Sequence, residues 1–261
     1  MAFSYQDANM LISIQIVSRD LSQKNNRLVC SMKRSLRILG LADLHDHWEM
    51  LGLLKDMNAD FIAFCGDLHN GSNREDARQT VKALASLGLS VLIVPGNMDH
   101  KDVVPELWRK AGFMMLHESS FIRGDFGFLG MGGMVAKNPL RIGDPARYYH
   151  SEEDVYLTLA EAYQGISSTK FKIIITHQPP RGLRDTLYNG ESSGSVSLRR
   201  FVKEYQPHLL LCGHIHEDRG EASLGYTKIL NVGELGRGYA ALIELGETIE
   251  VEWIDPAKEG T

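Results

Sequence analysis

Five apolar runs in this sequence each end in residues able to bind a cation. Leu36–Leu41 leads to Asp43-Leu44-His45, Phe61–Cys65 to Gly66-Asp67, and Val91–Val94 to Pro95-Gly96-Asn97. Phe171–Ile175 leads to Thr176-His177, and Leu209–Cys212 to Gly213-His214-Ile215-His216. Carboxylate oxygen, amide oxygen and imidazole nitrogen without thiolate form the donor set for hard or borderline divalent cations. In an extended strand end, residues i and i+2 point to one side, so Asp43 with His45 and His214 with His216 are expected to reach one cavity. Glycine before Asp67, Asn97 and His214 lets the backbone turn tightly beside them. Each piece alone reads equally well as a turn, a helix cap or a hydrogen-bonded core histidine. Five in series, each after an apolar run, do not.

Strands alternating with helices would bring these residues together, because the carboxyl ends of strands in an α/β sheet converge on one rim. The pattern predicts strands at Leu36–Leu41, Phe61–Cys65, Val91–Val94, Phe171–Ile175 and Leu209–Cys212. Helices are expected over Trp48–Met57, from a Ser72-x-x-Glu75 capping box to about Leu87, and over Lys101–Ala111. Two more are expected from Ser151-x-x-Asp154 to near Gly165 and over Val196–Glu204, the latter opened by Ser195. Phe113–Val135 reads as antiparallel strands and turns, and Leu224–Trp253 as a β-meander.

The ordered set Asp43-x-His45, Gly66-Asp67, Gly96-Asn97, His177 and Gly213-His214-x-His216 resembles the calcineurin-like metallophosphoesterases, over about Leu36 to Glu252. The resemblance implies an α/β fold, a four-layer α/β/β/α sandwich of two mixed β-sheets flanked by helices. It puts Asp43, His45 and His216 on one metal and Asn97, His177 and His214 on the other, with Asp67 bridging. Asp67, Asn97 and His177 are then the catalytic residues. The implied cofactors are two divalent ions, drawn from manganese, iron, zinc, nickel and cobalt. A shared carboxylate offsets the repulsion between neighbouring cations, and a hydroxide held between them would attack phosphorus. With two dications, two aspartates and that hydroxide the site carries +1, which suits a phosphodiester. The alternative is an interaction scaffold that keeps this fold without catalysis, against which the full ligand set speaks.

Many members of the family have histidine directly after Gly-Asn, placed to protonate the leaving group; here Met98 stands there, followed by Asp99 and His100. General acid assistance is worth about 10²–10⁴-fold. His69 and His100 are candidate replacements. Asp99 is a candidate carboxylate for orienting a ligand imidazole or capping the next helix. His177-Gln178-Pro179-Pro180 and the Gly194-Ser195 that closes the following loop are similar to a subgroup of small prokaryotic phosphoesterases. Arg181 and Arg184 of that loop are candidate phosphate contacts. Asn231-x-Gly233 and Gly236-Arg237-Gly238 read as plain turns.

The 261 residues carry a net charge of −5. Residues 1–37 hold six Lys/Arg against Asp7 and Asp20, which leaves an acidic body. That speaks against polymeric nucleic acid and for a small, nucleotide-like phosphate ester as partner. No apolar run approaches the ~20 residues of a membrane span. Cys30, Cys65 and Cys212 read as core thiols of a reducing, cytoplasmic protein. The expected organisation is an N-terminal extension over 1–34, weakly attached or poorly ordered, one domain over 35–255, and a tail over 256–261.

Overall fold

Runs such as Leu36-Arg37-Ile38-Leu39-Gly40-Leu41 are apolar almost throughout because both faces of the strand are covered. The computed structural model describes residues 35–71 and 73–256; the expectations for 1–34, Ser72, Cys30 and 257–261 lie outside the described residues. In chain order, the first eight strands are β1 (Leu36–Leu41), β2 (Phe61–Phe64), β3 (Val91–Ile93), β4 (Met114–Met115), β5 (Ser119–Arg123), β6 (Phe126–Met131), β7 (Met134–Val135) and β8 (Tyr149–His150). The remaining six are β9 (Phe171–Thr176), β10 (Leu209–Cys212), β11 (Gly220–Leu224), β12 (Thr227–Asn231), β13 (Ala240–Leu245) and β14 (Ile249–Ile254). The helices are α1 (Arg74–Ala85), α2 (Val104–Lys110), α3 (Glu152–Gln164) and α4 (Val196–Tyr205).

Two six-stranded mixed sheets result, in the orders β14-β13-β1-β2-β3-β4 and β11-β12-β10-β9-β6-β5. In the first, β1 to β4 are parallel and the β13-β14 pair is antiparallel. In the second, β12, β10, β9 and β6 are parallel, with β11 and β5 antiparallel at the edges. Alternate residues separate the layers. Ile38, Ala63 and Leu92 of one sheet meet Phe128, Ile173 and Leu211 of the other in a central core. Leu39, Ile62 and Ile93 face outward onto Leu84 of α1 and Trp108 of α2. Ile174 and Leu210 face outward onto Leu159 of α3 and Phe201 of α4. The order is helices, sheet, sheet, helices, as expected.

Several local expectations are corrected. Residues Trp48–Leu54 form a 3-10 helix, not an α-helix, and its buried Leu51 and Leu54 stand three apart, the repeat of that tighter coil. The cap of α1 is Asn73, whose side chain accepts from Glu75 N at 3.0 Å. Residues 101–103 are a turn, and α2 begins only at Val104. Of the run 113–135, only β5 and β6 pair antiparallel with each other; β4 runs parallel to β3 and β6 parallel to β9. The tail is no meander but two hairpins in different sheets, because the chain crosses over between β12 and β13. The Ser151–Asp154 capping box of α3 and the Ser195 cap of α4 are present. No described helix is long and apolar enough to cross a membrane.

Candidate metal centre

The ends of β1, β2 and β3 in one sheet and of β9 and β10 in the other deliver the donor residues. Asp43, Asp67 and His177 are buried, and His45, Asn97, His214 and His216 half-buried. They fall into two groups, Asp43 with His45 and His216, and Asp67 with His177 and His214, the ligand atoms of each group lying within 4.8 Å of one another. Asn97 joins the second group, its Oδ1 3.0 Å from His177 Nε2.

Extended strand ends do not aim these side chains, contrary to the i, i+2 expectation. Asp43, His45, Asp67 and His214 have φ of 55°, 50°, 54° and 69°. Asp, Asn and His tolerate this left-handed region better than most residues, at a cost of order 1–3 kcal/mol each. Tight turns therefore present these four donors. Gly96 is required beside them, since an added Cβ would lie 2.0 Å from Asp67 Oδ1.

Each carboxylate divides its oxygens. Asp43 Oδ2 accepts from His214 N at 2.8 Å, while Oδ1 is buried without a hydrogen bond and 3.4 Å from His216 Nε2. Asp67 Oδ1 accepts from Met98 N at 2.7 Å. Its Oδ2 lies 3.4 Å from His177 Nε2 and 4.0 Å from His45 Nε2, between the two groups. A buried carboxylate oxygen with no donor is costly unless a cation completes it. The residues present therefore fit a pair of divalent cations.

The imidazoles are aimed from behind. Cys65 O accepts a hydrogen bond from His177 Nδ1 at 2.8 Å, which turns Nε2 toward the site. Glu234 Oε2 lies 3.1 Å from His216 Nδ1 and 2.9 Å from Arg237 Nε, ion-pair contacts in which that oxygen accepts no hydrogen bond. Sequence reasoning missed Glu234, although it lies in the glycine-rich loop already singled out. That loop and Asn231 are more than plain turns: Leu235 N and Gly236 N donate to Ala42 O and Asp43 O, and Asn231 Nδ2 donates to Ile215 O at 2.7 Å.

Electrostatics follow from this packing. Burial opposes charge on Asp67, but the neighbouring His177 and His45 hold its carboxyl down at about 2. Burial opposes charge on His177 too, yet Asp67 and then Asp43 raise it to about 9. Burial, reinforced by His177, lowers His214 to about 4. For His216, burial is outweighed by Asp43 and Glu234, and the group is raised. The proton on His177 occupies the electrostatic place of a cation.

The other candidates lie elsewhere. His69 is fully engaged: Nδ1 meets Asp46 Oδ1 at 3.0 Å and Nε2 accepts from Trp108 Nε1 at 3.1 Å, which leaves no ring nitrogen for a substrate. Asp99 orients no imidazole; its buried carboxylate accepts from the backbone N of Asp67, Gly96 and His69 and so locks two of the turns together. His100 Nδ1 accepts from Asp102 N at 3.3 Å. Arg184 is tied to Asp218 Oδ1 and Glu221 O, and Arg181 is exposed. A third group, His117, Glu118 and His150, also gathers its ligand atoms. There His117 Nδ1 accepts from Gly132 N at 3.1 Å, so its proton sits on Nε2 and the ring offers a cation no lone pair.

A family model, calcineurin-like phosphoesterase, matches residues 36–218, and the chain belongs to that family. Uncharacterized protein MJ1162 of Methanocaldococcus jannaschii is 28% identical over 211 residues, which cover 77% of this chain and 89% of that protein. Among solved structures, TT1561 of Thermus thermophilus aligns with a TM-score of 0.63 and 20% identity over 83% of this chain and 98% of that one. A dimetal phosphatase from Danio rerio aligns with a TM-score of 0.58 and 12% identity over 84% and 96%. Both structural likenesses speak for the fold.

Proposed function

We propose that this protein is a binuclear metal-dependent phosphoesterase acting on small, nucleotide-like phosphate esters, with diesters preferred. The observation that carries the reading is Asp67 Oδ2, placed between His177 Nε2 and His45 Nε2 so that one carboxylate oxygen serves both donor groups. Asp43, His45 and His216 would hold one ion, and Asn97, His177 and His214 the other. Divalent ions there, manganese among them, would supply Lewis acidity, polarising a phosphoryl oxygen and lowering the pKa of water toward neutrality.

The chain's own part is to set charge and position. Two aspartates against neutral imidazoles and an amide leave two dications incompletely neutralised, so the site attracts a phosphate anion. Cys65 O fixes the tautomer of His177, and the Glu234 carboxylate places its charge beside His216. The Met98 side chain brings no proton to the leaving group, which favours substrates whose alkoxide leaves unaided. Rates on bis-p-nitrophenyl phosphate and p-nitrophenyl phosphate, for wild type and Asp67→Ala with added Mn²⁺, test this. The diester should be faster, and Asp67→Ala should lose at least 100-fold. Equal rates for the two proteins would refute the reading, and a folded wild type that takes up no metal would favour the scaffold.

A further inference from the structure

We infer that Arg147 is the side chain with which this protein grips the phosphoryl group of its substrate, an inference that rests on the phosphoesterase reading above. Arg147 is half-buried, and its Nη1 donates to Met98 O. The same carbonyl accepts from Gly71 N at 3.2 Å, so both its lone pairs are used. On its other side the Met98 residue donates its N–H to Asp67 Oδ1 at 2.7 Å. One residue of backbone therefore separates the guanidinium from the carboxylate at the centre of the site. Adding the two hydrogen bonds to the reach of one residue puts them within about 9 Å. A phosphoryl group held beside Asp67 would come within reach of the fork.

Three further observations point the same way. Three other arginines are paired with carboxylates: Arg141 with Asp144, Arg184 with Asp218 and Arg237 with Glu234. Arg147 has no carboxylate partner among the described residues, and Met98 O is the one acceptor its side chain meets among them. Beside its second nitrogen stands Gly71, where an added Cβ would come no nearer to Nη2 than van der Waals contact at 4.0 Å. Finally, the loop carrying it is pinned. Asp144 Oδ1 accepts from Ala146 N and Arg147 N, and Lys101 Nζ holds Asp144 O at 2.8 Å.

The chemistry is specific. A guanidinium presents parallel N–H groups that match two oxygens of one phosphate, and it stays charged at every working pH. It can neutralise phosphoryl charge but cannot donate a proton. Arg147 thus adds affinity for an anion held beside Asp67, with no part in protonating the leaving group.

Inorganic phosphate is the probe, titrated calorimetrically into Mn²⁺-loaded wild type, Arg147→Gln and Arg147→Lys, with metal content and KM measured in parallel. Loss of the charge in Arg147→Gln should weaken phosphate binding at least tenfold and raise KM more than it lowers kcat, at unchanged metal content. Arg147→Lys, a charge without the fork, should recover part of the loss. Phosphate affinity of Arg147→Gln within twofold of wild type would overturn the inference, leaving Arg147 as a prop for Met98 O. Should Arg147→Gln not fold, Arg147→Lys decides: a threefold or greater loss at unchanged melting temperature supports the grip, and none overturns it. A wild type that binds phosphate through Arg147 yet cleaves no ester would sink the phosphoesterase reading alone. One that binds no phosphate sinks both.

Discussion

The Glu234 carboxylate lies 3.1 Å from His216 Nδ1, on the side of the ring away from Asp43. An imidazole whose far nitrogen faces a carboxylate is a better ligand, and loss of such a partner typically costs 10–100-fold in metal affinity. Glu234→Ala should weaken one metal equivalent by that factor and spare the group around His177. Competition titration with a chelator, resolving two equivalents, checks this; an equal loss at both sites would point to general unfolding instead.

Gly96 stands where a methyl group would collide with Asp67 Oδ1 at 2.0 Å and Asp67 N at 2.4 Å. Gly96→Ala should cost about 2 kcal/mol or more through overpacking and lower metal content. Gly52, with nothing within 4 Å of an added Cβ, supplies the control. Urea unfolding and elemental analysis should find Gly52→Ala close to wild type.

Metal uptake should release a proton. His177 sits at about 9 without metal, so it is charged at pH 7 and must lose its proton to become a ligand, whereas His214, at about 4, is already neutral. Affinity at the His177 group should therefore rise about tenfold per pH unit up to pH 9. Calorimetry in buffers of different ionisation enthalpy should count at least one proton released at pH 7.5, the excess coming from His216, which is also raised. Affinity flat across pH 7–8.5 would show His177 neutral.

Acid should destabilise the fold through His117. Burial, then the charges of His150 and Lys101, lower it from 6.5 to about 3. Between those values the unfolded chain binds a proton that the native ring refuses, so stability falls as pH falls, by up to about 1.4 kcal/mol per unit. Above pH 6.5 this contribution is constant. His117→Gln should flatten the slope between pH 6 and 4 in denaturant titrations; an unchanged slope would assign it to other groups.

What could be read beforehand, and what could not, has physical causes. β1, β2, β9 and β10 announce themselves because strands covered on both faces are continuous apolar runs. The donor residues were visible because each follows such a run. Their delivery was not: the left-handed turns at Asp43, His45 and His214 depend on hydrogen bonds from distant segments, such as Asp43 N to Gly66 O at 3.0 Å. Glu234 and Arg147 stayed hidden since a single polar loop residue has no periodicity, and only tertiary packing brings it to His216 or Met98. The tail was misread because hairpin signals do not say which sheet a hairpin joins.

Asp67 Oδ2 lies between the two donor groups, where it would be shared by two cations. Crystals grown with Mn²⁺ and measured at the manganese absorption edge test it directly. Two anomalous peaks are expected about 3.5–4 Å apart, one by His45 and His216 and the other by His177 and His214, with Asp67 Oδ2 between them. One peak alone, or peaks that leave Asp67 uncoordinated, would contradict it.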